Sequence, residues 1–329
     1  MAEYLTNTAD LTAVADAIRV KGGTAAQLVY PSGFVSAIQA IETGVTPQLI
    51  VTTSAGAAIT ATKGSKTVSG TAGADGTCTL ELSEAGEWSV TSSLNGNSRT
   101  QTVLIGTQTA DIRLFDSVFA NNSWETIIAV CKSGSVPDSW AVGNSKNMTI
   151  GGAEYQIDII GKNHDAYAAG GTAPLTFQLH NSYGTAYAMK STSTNAGGWK
   201  ECDMRTTHLP AILALMPTEV QSGIREVSKT TAAKSSDKWL ETVPDKLFLL
   251  SEVETFGSTA NSEAGEGSQY TYYETGGSTV KTLNGTATSW WLRSPMRTSD
   301  YSFCASSGGG EPTHLDATAE RGTAFAFCF

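Results

Sequence analysis

The stretch "SWWLRSPMRTSDYSFCASSGGGEPTHLD", residues 289–316, changes character part-way along. Trp290, Trp291 and Leu292 are bulky and apolar, and Pro295 fixes the exit of the backbone. Small and polar residues then follow with neither helical nor strand periodicity. Shortly afterwards "GTAFAFCF" (322–329) alternates without a break and sets Phe325, Phe327 and Phe329 on one face. A strand this apolar has to be buried, which ties the last residues into a central sheet. The pattern predicts two fixed posts with an exchangeable panel between them, and Phe303-Cys304 as a buried stitch halfway along.

Upstream, residues 116–329 mix helical and strand signals. "WETIIAVCKSG" places Ile127, Ile128 and Cys131 on a helical face, and "AEYQIDIIG" alternates through Tyr155, Ile157 and Ile159. Val220, Ile224 and Val227 carry helical spacing after Pro217, while "DKLFLLS" (245–251) has the length and composition of a buried strand. Helices and strands in runs, without strict alternation, predict an α+β fold.

Residues 46–115 read differently. "QLIVTT", "AAITAT", "CTLEL", "EWSVTSS", "TQTVLIG" and "ADIRLF" alternate apolar and polar residues, separated by Gly- and Asn-containing turns. Short strands at this spacing, with Trp88 and Val90 on one side of theirs, predict a small β-sandwich. Its turn rhythm resembles the immunoglobulin-like modules of surface and tail proteins. Residues 1–45 read as two short amphipathic helices; Leu11, Val14, Ala15 and Ile18 share a face of the first, and Phe34, Ile38 and Ile41 share a face of the second. Helices below about 12–15 residues are marginal alone, so this segment is expected to dock onto another chain, a second copy or a larger particle, or else onto the next domain.

The chain has 329 residues, room for two or three domains. Its formal net charge of -10 argues against a protein that tracks nucleic-acid phosphate or anionic lipid with clustered Lys and Arg. No apolar run approaches ~18 residues, so no membrane span is expected. "MAEYLTNTAD" lacks the basic start and apolar core of a secretory signal, which predicts synthesis in the cytoplasm without a signal peptide. The five cysteines (Cys78, Cys131, Cys202, Cys304, Cys328) never pair at metal-binding spacing and are expected to be small buried hydrophobes; no metal or cofactor is implied.

The motifs "IIGKNHD" (159–165), "LTFQLHN" (175–181), "NAGGWKECDMR" (195–205), "DKLFLLSEVETFG" (245–257), "EGSQYTYY" (266–273), "WWLRSP" (290–295) and "GTAFAFCF" occur in the order found in a family of bacterial and phage domains. The C-terminal two hundred or so residues resemble that family, whose fold is C-type-lectin-like and distantly related to the formylglycine-generating enzymes. The ending is similar to the variable proteins of diversity-generating retroelements, in which such a scaffold displays residues rewritten by adenine-directed mutagenesis. The N-terminal segment is similar to parts of phage tail and baseplate proteins.

The resemblance implies three domains: a helical attachment or oligomerisation segment (1–45), an immunoglobulin-like sandwich (46–115) and a C-type-lectin-like ligand-binding domain (116–329) with its variable region at about 290–329. It implies a ligand surface at Met296, Thr298, Ser299, Tyr301, Ser302, Ala305, Ser307, Glu311, Thr313, His314, Leu315, Asp316 and Thr318. Trp290, Trp291, Arg293, Phe303 and Phe327 would form the scaffold. Rewritten codons in that system do not readily give Lys, Gln, Glu, Met or Trp; Met296 and Glu311 depart from this restriction. The implied partners are a protein or glycan receptor on a target cell and virion proteins at the N-terminal segment. The implied setting is a phage tail or an extracellular surface, with a homotrimer expected. A structural virion component, or a lectin-like binder without diversification, is the alternative, and an enzyme of the formylglycine-generating-enzyme-like fold is the less favoured one.

Chemistry elsewhere is sparse. His164-Asp165 resembles half of a metal-phosphohydrolase signature and is expected to pin a turn instead. Cys202 and His208 lack a third group to orient them, and no motif matches the cysteine pair of the formylglycine-generating enzymes, so no enzymatic activity is assigned. Tyr270, Tyr272 and Tyr273 could form a sugar or peptide platform or simply rim a strand.

Overall fold

A computed structural model of the chain describes residues 8–22, 27–29, 32–39, 46–94, 97–106, 109–116, 118–134, 136–234 and 237–329. Helices and antiparallel sheets occur together, so the fold is α+β. Buried apolar residues fall into three clusters along the chain.

The first lies between α1 (Thr8–Gly22) and α2 (Ser32–Gln39). Ala15, Ile18 and Phe34 are buried there with Leu11, Leu28 and Ala37 against them. The expected apolar faces are only partly covered, since Val14 and Ile38 remain about half exposed at 49% and 55%. Ile41, assigned to the second face, lies outside the described residues.

Seven strands follow: β1 (Gln48–Thr52), β2 (Ala58–Lys63), β3 (Lys66–Thr71), β4 (Thr77–Glu81), β5 (Gly86–Leu94), β6 (Asn97–Ile105) and β7 (Ala110–Arg113). They form two sheets, ordered β4-β1-β7 and β3-β2-β5-β6. Alternation sends Leu49, Val51 and Ile112 from one sheet and Ile59, Ala61, Trp88 and Val90 from the other into a shared core. The indole N–H of Trp88 donates to the Glu84 carbonyl at 3.1 Å, so the buried ring leaves no unpaired donor. Gly76, at φ +76°, sits where a Cβ would come within 2.5 Å of Ala129 and 2.6 Å of the Thr53 carbonyl. Only glycine admits this close approach to the next helix.

That helix, α3 (Trp124–Lys132), is capped by the Ser123 hydroxyl, which accepts from Thr126 N at 3.2 Å. β8 (Ser145–Ile150), β9 (Ala153–Lys162) and β10 (Leu175–Leu179) then build a sheet that the last strand closes in the order β18-β10-β9-β8. α4 (Leu209–Leu213) and α5 (Thr218–Gly223) lead to a hairpin of β11 (Val227–Lys234) and β12 (Asp237–Asp245). α6 (Glu252–Phe256), α7 (Thr271–Glu274) and a small hairpin of β13 (Lys281–Leu283) and β14 (Thr286–Thr288) precede β15 (Trp290–Pro295), β16 (Ser302–Ser306) and β17 (Pro312–Asp316). β18 (Ala326–Cys328) ends the chain. Phe177 of β10 stacks on Phe327 of β18 with ring centroids 5.3 Å apart, and Phe119, Trp124 and Phe329 pack around them.

Two local readings change. The helical spacing through Val227 breaks, because α5 stops at Gly223 and Val227 opens β11. "DKLFLLS" is buried from Leu247 to Leu250 without forming a strand of its own: Asp245 ends β12, Phe248 exchanges backbone hydrogen bonds with Ala326, and the Leu250 carbonyl accepts from Arg293 N at 2.8 Å.

Candidate functional site

The stretch between the two posts is a hairpin. β16 pairs antiparallel with β15 on one side and β17 on the other, in the order β15-β16-β17. Every residue of β15 and β16 is buried, whereas β17 is a half-buried edge. β16 lacks visible alternation because every one of its residues is buried, with Phe303, Cys304 and Ala305 all in the main core. Small side chains are what such a position accepts.

Burial therefore removes Ser302 and Ala305 from any contact surface. Thr298, Tyr301, Glu311, His314 and Thr318 are exposed, and Met296, Ser299, Ser307, Thr313, Leu315 and Asp316 are half-buried, with Leu315 leaning on the core. Trp290, Trp291, Arg293, Phe303 and Phe327 are all buried.

The exposed positions do not form one group. Met296, Thr298, Ser299 and Tyr301 lie on the turn between β15 and β16, and Ala317 N donates to the Tyr301 carbonyl at 2.8 Å, bringing Asp316 and Thr318 beside them. Asp316 accepts from Thr318 N at 2.9 Å and from the Thr318 and Ser193 hydroxyls, which hold its carboxyl below the usual range. Ser307 and Glu311 occupy the opposite turn, four residue steps or ~14 Å along the strand.

Asn195 fixes the first turn. Its buried amide donates to the Ser302 carbonyl at 2.9 Å and to the Ser299 carbonyl at 2.5 Å, and its backbone N–H donates to the Asp300 carbonyl at 2.8 Å. Arg297 N donates in addition to the Asn261 carbonyl at 2.9 Å. The main chain of 296–302 is held from below while the Thr298 and Tyr301 side chains face solvent. Sequence reasoning missed both this role and the adjoining exposed Ser191–Ser193. The one visible signal was that Asn195 opens the quoted "NAGGW" motif.

Beneath the sheet lies a buried ionic network. The Arg293 guanidinium grips both oxygens of Glu254 and donates to the carbonyls of Leu249 at 3.0 Å and Glu266 at 2.9 Å, and to the Thr231 hydroxyl at 2.9 Å. Glu254 also accepts from Lys229 Nζ at 2.9 Å and completes a capping box with Ser251 at the start of α6. Lys229 Nζ reaches Asp165 Oδ1 at 2.6 Å. Burial opposes these charges, but the facing partners prevail: Asp165 is held down to about 2 and Glu254 below its ordinary value.

Glu266 is the exception. Burial pushes its carboxyl up to about 7, against the pull of the Ala232 N–H and Ser294 hydroxyl that donate to it. The folded protein thus keeps this proton through a pH range in which the unfolded chain has lost it, so the group's stabilising contribution is present at low pH and fades as pH rises from 4.5 to about 7. Glu266→Gln should match the wild type below about pH 4 in urea denaturation and exceed it by roughly 3 kcal/mol above pH 8. A difference independent of pH would refute this assignment.

The remaining candidates are structural. Asp165 binds Lys229, Thr176 and Tyr270, and His164 stacks on Tyr270 at 4.0 Å. Tyr270 and Tyr273 are buried around the short helix α7 and hydrogen-bonded to Asp165 and Gln178, so they offer no platform. Cys202 is buried with its thiol pushed up to about 12, while His208 stacks on Tyr187. All five cysteines are buried and unpaired. Among the described residues no group of three or more His, Cys, Asp or Glu could hold a metal ion, and no helix is long and apolar enough to cross a membrane.

A family model described as a domain of unknown function (DUF6273) matches residues 176–322. That span contains Asn195, Lys229, Glu254, Glu266, Arg293 and the whole β15-β16-β17 sheet, and stops before β18. Comparison with curated proteins finds no match.

Proposed function

We propose that this protein binds a receptor through the exposed side chains around the β15–β16 turn and β17, on a C-type-lectin-like scaffold diversified by a retroelement. One observation carries the reading: the 296–302 backbone is pinned by buried Asn195, while neighbouring side chains at Thr298 and Tyr301 are free of the core. Such a turn keeps its path whatever those side chains are, because exposed substitutions cost little. A surface of Tyr, Ser, Thr, Asp and His suits a protein or a glycan, as antibody loops do. Binding rather than catalysis is the role this favours.

The sandwich serves as an immunoglobulin-like spacer, and the α1–α2 pair as the attachment and trimerisation segment of a phage tail or surface protein. Its half-exposed Val14, Val35 and Ile38 support that second role. The DNA around the gene tests the diversification: a near-identical repeat with adenines at the codons for the exposed positions is expected beside a reverse transcriptase. Finding neither would leave a lectin-like binder or virion component without diversification.

A further inference from the structure

We propose that Lys229 and Asp165 condense into an intramolecular isopeptide bond, joining Nζ to Cγ with release of one water. The ammonium nitrogen lies 2.6 Å from Asp165 Oδ1, and the two side chains are only 2% and 3% exposed. The Phe248 ring covers the nitrogen at 4.1 Å, and the Tyr270 ring lies 5.5 Å away. Water is thus excluded from a nucleophile and an acyl group already in contact, which is the condition under which proximity accelerates a reaction most.

The surrounding groups match the steps. Lys229 Nζ first passes one proton to Asp165 Oδ1, 2.6 Å away, which turns the resting ion pair into a neutral amine facing a neutral carboxylic acid, and the amine lone pair then adds to Asp165 Cγ. Oδ2 carries the developing negative charge and already accepts from the Tyr270 hydroxyl at 2.9 Å and from the Thr176 hydroxyl. Burial keeps Tyr270 protonated as that donor. Glu254 Oε1, 2.9 Å from Nζ, takes a second proton from the nitrogen and returns it to Oδ1, which already carries the first and leaves as water. The carbonyl remains on Oδ2 and one N–H remains on Nζ, facing Glu254. No oxidant, metal or nucleotide enters the balance.

The product also relieves an electrostatic load. Two buried charges vanish together, and the Arg293–Glu254 pair that remains is itself neutral and bidentate. The bond would join segments 64 residues apart, one before β10 and one in β11. It stands independently of the receptor-binding reading.

Mass spectrometry of the purified full chain decides the matter. The expected mass is one water below that of the sequence, and tryptic digestion should yield a branched peptide joining 163–190 to 226–234 through Asp165 and Lys229. Asp165→Asn should lose one ammonia instead, and Lys229→Arg should show its full sequence mass. A wild-type mass equal to the sequence, or a loss of water that maps elsewhere, would overturn the proposal.

Discussion

Replacing Glu254 with alanine is expected to lower the unfolding free energy by about 3–5 kcal/mol, the usual cost of leaving buried charges without their partner. The carboxylate is fully buried and accepts from Arg293, Lys229 and the Ser251 N–H. Without it the guanidinium keeps only backbone carbonyls and the Thr231 hydroxyl, and α6 loses one half of its capping box. Glu241→Ala is the matching control, because the Lys200–Glu241 pair is solvent-exposed at 3.4 Å and should matter by less than ~1 kcal/mol. Urea denaturation of both variants reads the contrast. Similar losses in the two would mean that the network does not hold the sheet in place.

Trp290→Ala is expected to cost about 3–5 kcal/mol, the range for emptying a packed aromatic site. The ring is wholly buried, its N–H donates to the Thr279 carbonyl at 2.8 Å, and the Lys281 ammonium lies 5.3 Å from its centre. Removing the indole would leave that carbonyl with only the Ser306 hydroxyl as a donor and strip the apolar cover from a lysine that burial already pushes down to about 8. Tyr301→Ala, 54% exposed and in the turn between β15 and β16, should change stability by no more than about 0.5 kcal/mol. Thermal and chemical denaturation of the two variants should therefore separate post from panel.

Much of this frame was legible because its residues obey a period. Alternation marked six strands of the sandwich, and the apolar posts at Trp290–Leu292 and Phe325–Phe329 are buried as expected. β3 escaped because its only large apolar residue, Val68, sits among exposed polar ones and carries no pattern. β16 escaped for the opposite reason, being buried on both faces and built from small residues. The ionic network could not be read at all: Asp165, Lys229, Glu254, Glu266 and Arg293 come from five separate segments and meet only once the chain has folded. Tyr270 and Tyr273 misled because a tyrosine in a Gly-rich stretch looks wet, whereas here each hydroxyl has an internal acceptor. Ser302 and Ala305 misled through composition, since residues that suit an exposed variable loop also suit a crowded central strand.

The most direct measurement is a library randomised together at Thr298, Tyr301, His314 and Thr318, displayed and panned against one purified protein target. Side chains that carry recognition but no packing should yield folded clones melting within about 4 °C of the wild type, with distinct binders among them. Clones that unfold as a class, or fold normally yet never give a binder whose affinity depends on these four positions, would contradict the account.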